Sequence, residues 1–212
     1  MRVFRCLAVL SAFLLSSAAL ALTPVEGQDY TVLNPAQPTD APPGKVEITE
    51  FFWYGCPHCF HLEPALNQLL ANLPKDVSFR RVPGMARPWT PGAKLFYALD
   101  AMGVEERLRG EIFNAIHVSQ SLSPMDEAAF PEWLGKKGVD AKKFSDIYKS
   151  FSVQTKLQRA AQLNTGFGID AVPAVVVNGR YKLVDPASMP PERFLGVVDA
   201  LVARARLENG KK

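Results

Sequence analysis

The chain has 212 residues, of which 48% are hydrophobic and 21% charged, with a formal net charge of +3 and three cysteines. That length can bury one sizeable core, or one core with an inserted subdomain. The charge is too small to make an electrostatic case for nucleic acid or for an anionic membrane surface.

The first residues, MRVFRCLAVLSAFLLSSAALA, carry Arg2 and Arg5, an apolar run from Leu7 to about Leu15, and small residues ending in Ala19, Leu20 and Ala21. This is the pattern of a secretory signal peptide over residues 1–21. The run is too short and too serine-rich for a membrane anchor. Cys6 sits near the start of the apolar region, not at the cleavage point that a lipoprotein needs. Cleavage would remove Cys6 and two arginines, leaving a nearly neutral chain whose cysteines are Cys56 and Cys59. An exported chain meets oxidising surroundings, where an exposed cysteine pair is oxidised unless something reduces it.

Residues 22–44 are rich in proline (Pro35, Pro38, Pro42, Pro43) and read as an extended arm with a short strand near Tyr30 to Leu33. KVEITEFFWYG, Lys45 to Gly55, is β-branched and aromatic and predicts a buried strand. From Pro57 to about Leu73, Leu62, Leu66, Leu69 and Leu73 recur at helical spacing, and Pro64 predicts a kink. Asp76 to Pro83 alternates Val77, Phe79 and Arg81 against polar neighbours as a second strand. Strand, helix, strand is a βαβ unit with parallel strands. Five helices follow: Pro91 to Met102 with Thr90 as cap, Val104 to Val118, Ala128 to Lys137, Ala141 to Phe151, and Val153 to about Asn164. Asp140 and Ser152 are the expected caps of the last two. AVPAVVVNGRYKLV, Ala171 to Val184, predicts a hairpin around Asn178 and Gly179. Pro190 and Pro191 open a final helix whose Phe194, Val198, Leu201 and Ala205 share a face. The layout is α/β with a mixed sheet. Residues 22–86 and 167–212 combine into one domain, interrupted by an all-helical insertion over 87–166.

The stretch CPHC falls where a strand gives way to a helix. Cys56 is at the helix N-terminus, where unpaired N–H groups and the helix dipole favour negative charge. Pro57 at the first helical position forfeits no hydrogen bond. A thiolate at Cys56 is thereby stabilised and its pKa lowered, and His58 adds a donor or a positive charge. Cys59, three residues on, reaches the Cys56 sulfur but faces the protein, as suits a resolving thiol. Stabilising the thiolate stabilises the reduced form, so the disulfide becomes a stronger oxidant. A bridge closing so small a loop restricts few unfolded conformations, which weakens a purely structural reading. Val172-Pro173, opening an apolar strand, is either an edge device or a cis proline exposing the Val172 backbone to an extended substrate.

EFFWYGCPHCFHLEP followed by AVPAVVVNGRY resembles the DsbA family of thioredoxin-fold thiol:disulfide oxidoreductases, over essentially the whole chain after residue 21. The resemblance implies a thioredoxin-like fold split by the helical insertion, and a periplasmic monomer that works through a redox-active Cys56–Cys59 disulfide with no other cofactor. It implies that the protein oxidises reduced, unfolded exported proteins and that a DsbB-type membrane quinone reductase reoxidises it. Cys56, Pro57, His58 and Cys59 match the family's catalytic motif, Val172 and Pro173 its substrate-facing loop, and Glu50 its acidic residue on the preceding strand, a candidate proton relay behind Cys59. Glu63 and Lys75 also match family positions, although surface charge explains them equally well. Trp53, Tyr54 and Gly55 depart from the phenylalanine or alanine that many members carry there, with the surface offered to substrates as the feature at stake.

Other readings assign less. Cys56, Cys59, His58 and His61 are ligand types for zinc or copper, but with His58 inside the CxxC loop they cannot readily surround one tetrahedral ion, so no metal is expected. A peptide-binding module with an incidental bridge does not need a helix N-terminus and a proline focused on the sulfurs. An isomerase or reductase is the rival within the redox class, yet the short arm offers no dimerisation domain of the kind such enzymes use. Phe51 and Phe52 read as core, His61 as solvated, His117 as structural or surface, and Phe60 and Met85 as candidates to edge an apolar groove.

Overall fold

The computed structural model describes residues 22–210. The expected signal peptide over 1–21, with Cys6, lies outside the described residues. The described chain runs β1 (Tyr30–Val32), β2 (Val46–Phe52), α1 (Pro57–Ala71), β3 (Val77–Pro83) and then five helices: α2 (Thr90–Ala101), α3 (Glu105–His117), α4 (Phe130–Gly135), α5 (Ala141–Tyr148) and α6 (Phe151–Gly166). It closes with β4 (Ala174–Val177), β5 (Tyr181–Leu183) and α7 (Pro191–Asn209).

The sheet is mixed, in the order β1-β5-β4-β2-β3. β2 and β3 are parallel, as a helical crossover requires, and the other pairings are antiparallel. Every residue of β2 is buried, because both faces of this central strand are covered. The two faces serve two cores. On one, Val46, Ile48, Val175 and Val177 meet Leu62, Leu66 and Leu69 of α1 and Phe194, Val198 and Leu201 of α7. On the other, Phe51, Val82, Ala174 and Val176 meet the helices between β3 and β4. Burial of each such side chain stabilises by about 1.5–3 kcal/mol. Alternation along β4 sends neighbouring valines to opposite cores.

Asn178 and Gly179 turn the hairpin with φ of 54° and 64°, the paired positive angles of a type I′ turn. Glycine is needed here a second time: a Cβ on Gly179 would lie 2.0 Å from the Gln37 carbonyl oxygen, since the N-terminal arm packs onto this turn.

Three local expectations change. Ser152 does not cap α6: the helix starts at Phe151, and the Ser150 hydroxyl accepts from the Val153 N–H at 3.3 Å. Thr90 is the first residue of α2 and not its cap, with its hydroxyl donating to the Arg87 carbonyl at 3.1 Å. α5 stops at Tyr148, three residues short of the expected end. Asp140 caps α5 as expected, accepting from Lys143 N–H at 2.9 Å. Among the described residues, no helix is long and apolar enough to cross a membrane.

Candidate active site

β2 ends at Phe52, and the chain turns through Trp53, Tyr54 and Gly55 into α1. The Cys56 N–H closes this turn on the Trp53 carbonyl at 3.0 Å. The Trp53 ring folds back over Gly55, where a Cβ would lie 2.5 Å from it, and stacks on Trp89 with centroids 4.7 Å apart and planes 9° from parallel. Cys56 is the N-cap of α1 in extended conformation, without a side-chain cap, and Pro57 opens the helix. The backbone donors of the first turn are thus left to the Cys56 sulfur.

Cys56 and Cys59 are both free thiols, with Cys56 8% and Cys59 0% exposed. The Cys56 thiol is lowered to about 6. The chief cause is a hydrogen bond from the Cys59 thiol, aided by the backbone N–H groups of Cys59 and His58 and by the His58 charge, against the opposing effect of burial. Cys59 is pushed strongly upward, first by burial, then by its bond to the Cys56 sulfur and by the charges of Cys56 and Glu50. One sulfur therefore carries a thiolate and the other keeps its proton. His58 and Pro57 are exposed at the mouth of the site. The Val172–Pro173 peptide is cis, and Cys56 Sγ lies 3.3 Å from the Val172 carbonyl oxygen, to which Cys56 donates when it is in its thiol form. Positions 56 and 172, far apart in sequence, are thus in contact.

Beneath the cysteines lies a buried charge cluster. Glu50, 0% exposed, accepts from Arg81 Nε at 2.8 Å, and its carboxyl is raised above the ordinary range, mainly by burial. Glu63, for which surface charge is an equal explanation on sequence alone, is only 7% exposed. Its Oε1 lies 3.7 Å from Arg81 and 3.8 Å from Arg109 without a hydrogen bond to either. Burial and the Glu50 charge raise it to about 7. Arg109 donates to Glu105 at 2.6 Å, and Glu105 also accepts from the Tyr54 hydroxyl. Three carboxyls face two guanidiniums here, and burial raises two of them, Glu50 and Glu63. Lys75, the other family match, is exposed on the loop before β3.

His61 is exposed, as expected, whereas His117 is half-buried against Phe60. Phe60 and His61 line one side of a cavity of about 410 Å³ between α1 and α3 that reaches Glu63 and Arg109. Met85 lines a separate depression with Asn164, Thr165 and Ile169. Sequence reasoning missed the charge partners Arg81, Arg109 and Glu105. Arg81 left a trace, a charged residue at the inward phase of a strand pattern. Arg109 and Glu105 left none, being ordinary residues of an amphipathic helix. Among the described residues, no group of three or more histidine, cysteine or acidic side chains is arranged to hold a metal ion.

Comparison with known proteins identifies the family. The family model described as DSBA-like thioredoxin domain matches residues 85–195. The thiol:disulfide interchange protein DsbA of Burkholderia cepacia is 45% identical over 82% of this chain and 85% of its own length. That of Azotobacter vinelandii is 40% identical over 94% of both chains. The crystal structure of Pseudomonas aeruginosa DsbA superposes with a TM-score of 0.80 at 34% identity, covering 88% of this chain and 96% of that one. The Neisseria meningitidis oxidoreductase NmDsbA1 gives 0.77 at 33% identity, covering 88% and 96%. With relatives this similar along nearly their whole length, the chain belongs to the DsbA family of thiol:disulfide interchange proteins and is a disulfide-forming thiol-disulfide oxidoreductase of thioredoxin-like fold.

Proposed function

We propose that the protein is a periplasmic dithiol oxidase that donates the Cys56–Cys59 disulfide to reduced exported proteins. The observation carrying this reading is the asymmetry of the two sulfurs, with Cys56 lowered to about 6 and Cys59 raised. At pH 7 a thiol with that pKa stabilises the reduced protein by about 1.4 kcal/mol, which for a two-electron couple is about 30 mV toward oxidising character.

A substrate thiolate attacks Cys56 Sγ, the Cys56–Cys59 bond breaks, and a mixed disulfide forms. Cys59 leaves as a thiolate and takes a proton, for which Glu50 behind it is the relay. A second substrate thiolate then attacks the substrate sulfur of the mixed disulfide and releases Cys56 as a thiolate, stabilised by the first-turn N–H groups and His58. Two electrons pass from the substrate dithiol to the cysteine pair; of the two substrate protons, one ends on Cys59 by way of Glu50 and the other goes to solvent. Pro57 starts the helix without withdrawing a needed donor. The Val172 carbonyl, within reach of Cys56 Sγ, and Pro173 hold the substrate backbone. A DsbB-type membrane quinone reductase removes the electrons again, and the protein acts as a monomer. Residues 22–86 and 167–212 form the thioredoxin-like domain and 87–166 the insertion, a division supported by the placement of α2 to α6 between β3 and β4.

Equilibration with glutathione redox buffers followed by thiol trapping tests the reading. The pair should be reduced under mildly reducing buffer, and Cys56→Ser should lose all oxidase activity. A disulfide that persists under strongly reducing buffer identifies a structural bridge and overturns the proposal.

A further inference from the structure

One side chain of α3 reaches the active-site turn and has no part in the exchange chemistry above. His117 is the last residue of α3. Its ring lies 5.2 Å from that of Phe60, 10° from parallel, and Phe60 directly follows Cys59. Its Nε2 is 2.7 Å from the backbone carbonyl oxygen of Tyr54. A carbonyl can only accept, so Nε2 carries the hydrogen and the tautomer is determined. Tyr54 is 1% exposed, and among the described residues no other donor is bonded to this carbonyl. The carbonyl belongs to the turn that the Cys56 N–H closes on Trp53, two residues before the reactive sulfur.

We propose that His117 is a positioning residue of the dithiol site, its Nε2–H fixing the Tyr54 carbonyl and through it the turn that sets Cys56 on the helix N-terminus. The inference rests on the assignment of Cys56 as the attacked sulfur. Its sign follows from electrostatics. Without the donor, the turn holds a buried, unpaired carbonyl, an orphan acceptor that is costly to leave unmade. The peptide then rotates to find a partner, and the N–H groups of His58 and Cys59 lose their alignment on the Cys56 sulfur. Both changes disfavour the thiolate, and with it the reduced protein. The disulfide becomes a weaker oxidant.

Two variants separate this role from packing. His117→Phe keeps an aromatic ring against Phe60 and removes the donor, while His117→Gln keeps an N–H donor and removes the ring. In glutathione buffers, His117→Phe should favour its disulfide by about threefold to tenfold more than the unsubstituted protein does, with tenfold equal to about 30 mV. The Cys56 thiol should titrate higher in step, and His117→Gln should recover most of the shift. Equal values in all three proteins, or the same shift in both variants, would mean that His117 only packs, and overturn the proposal. If His117→Phe does not fold, imidazole nitrogen NMR of the unsubstituted protein decides: a hydrogen on Nε2 supports the proposal and the Nδ1–H tautomer overturns it. An unsubstituted protein whose cysteines do not exchange with glutathione overturns the dithiol reading and this inference together, a result distinct from normal exchange with an indifferent His117→Phe.

Discussion

The asymmetry of the cysteine pair makes the redox equilibrium depend on pH in a defined way. Reduction of the disulfide takes up two electrons and, while both sulfurs are protonated in the product, two protons. The potential then falls by about 59 mV per pH unit. Once Cys56 is a thiolate in the reduced protein, only Cys59 takes up a proton, and the slope halves to about 30 mV per pH unit. With Cys56 lowered to about 6 and Cys59 raised out of reach, the break belongs near pH 6. The perturbation is pH itself, and the assay is equilibration against a reference thiol couple from about pH 5 to about pH 8, with each form quantified by thiol trapping. Ultraviolet absorbance of the thiolate, followed over the same range, should show its midpoint at the same pH. The reduced form gains about 1.4 kcal/mol by pH 7 and about twice that by pH 8. A single steep slope across this range, with no thiolate forming below about pH 8, would show that Cys56 titrates like a free thiol and refute the argument from the helix N-terminus and the Cys59 bond.

Three further outcomes follow from the same geometry. Cys59→Ala removes the chief stabiliser of the Cys56 thiolate, a hydrogen bond to a charged acceptor worth about 1.5–3 kcal/mol; its thiol should titrate about one to two pH units higher, and Cys59→Ser should recover much of the change. Glu63 is raised to about 7 by burial, above its unfolded value, so its contribution to stability is complete at acid pH and lost as pH rises to about 7. Glu63→Gln should therefore gain stability relative to the unsubstituted protein between about pH 4.5 and pH 7, by up to about 3 kcal/mol, measured as urea midpoints across pH. A Cβ at Gly55 would meet the Trp53 ring at 2.5 Å, so Gly55→Ala should displace that ring from Trp89. The near-ultraviolet circular dichroism of the stacked tryptophans should fall, with a loss of about 1–3 kcal/mol in stability; an unchanged spectrum would refute it.

The signals that were legible in the sequence are local ones. Strand alternation in Lys45 to Gly55, leucine spacing after Pro57, and the Asn178-Gly179 turn depend on neighbouring residues and on backbone sterics, and the structure places β2, α1 and the hairpin accordingly. The position of Cys56 at a helix N-terminus is local in the same sense, so the direction of its pKa change followed from the motif alone. Helix ends were less legible. Ser150 and Ser152 are equally good caps in isolation, and in the structure Ser150 is the one that accepts from the first turn of α6.

The sequence by itself determined the fold class, the family resemblance and the place of the cysteine pair at a helix start, because these are written in short-range patterns. Only the tertiary structure decided which charges surround that pair. Arg81 comes from β3, Glu105 and Arg109 from α3, and Glu63 from the second turn of α1. Apart from Arg81, which falls at the inward phase of its strand, no periodicity marks them, and each becomes a buried charge only when helices and sheet close over it. His117 is the same case. Its partner is a backbone carbonyl 63 residues away, and a carbonyl, which every residue carries, leaves no signature in a sequence.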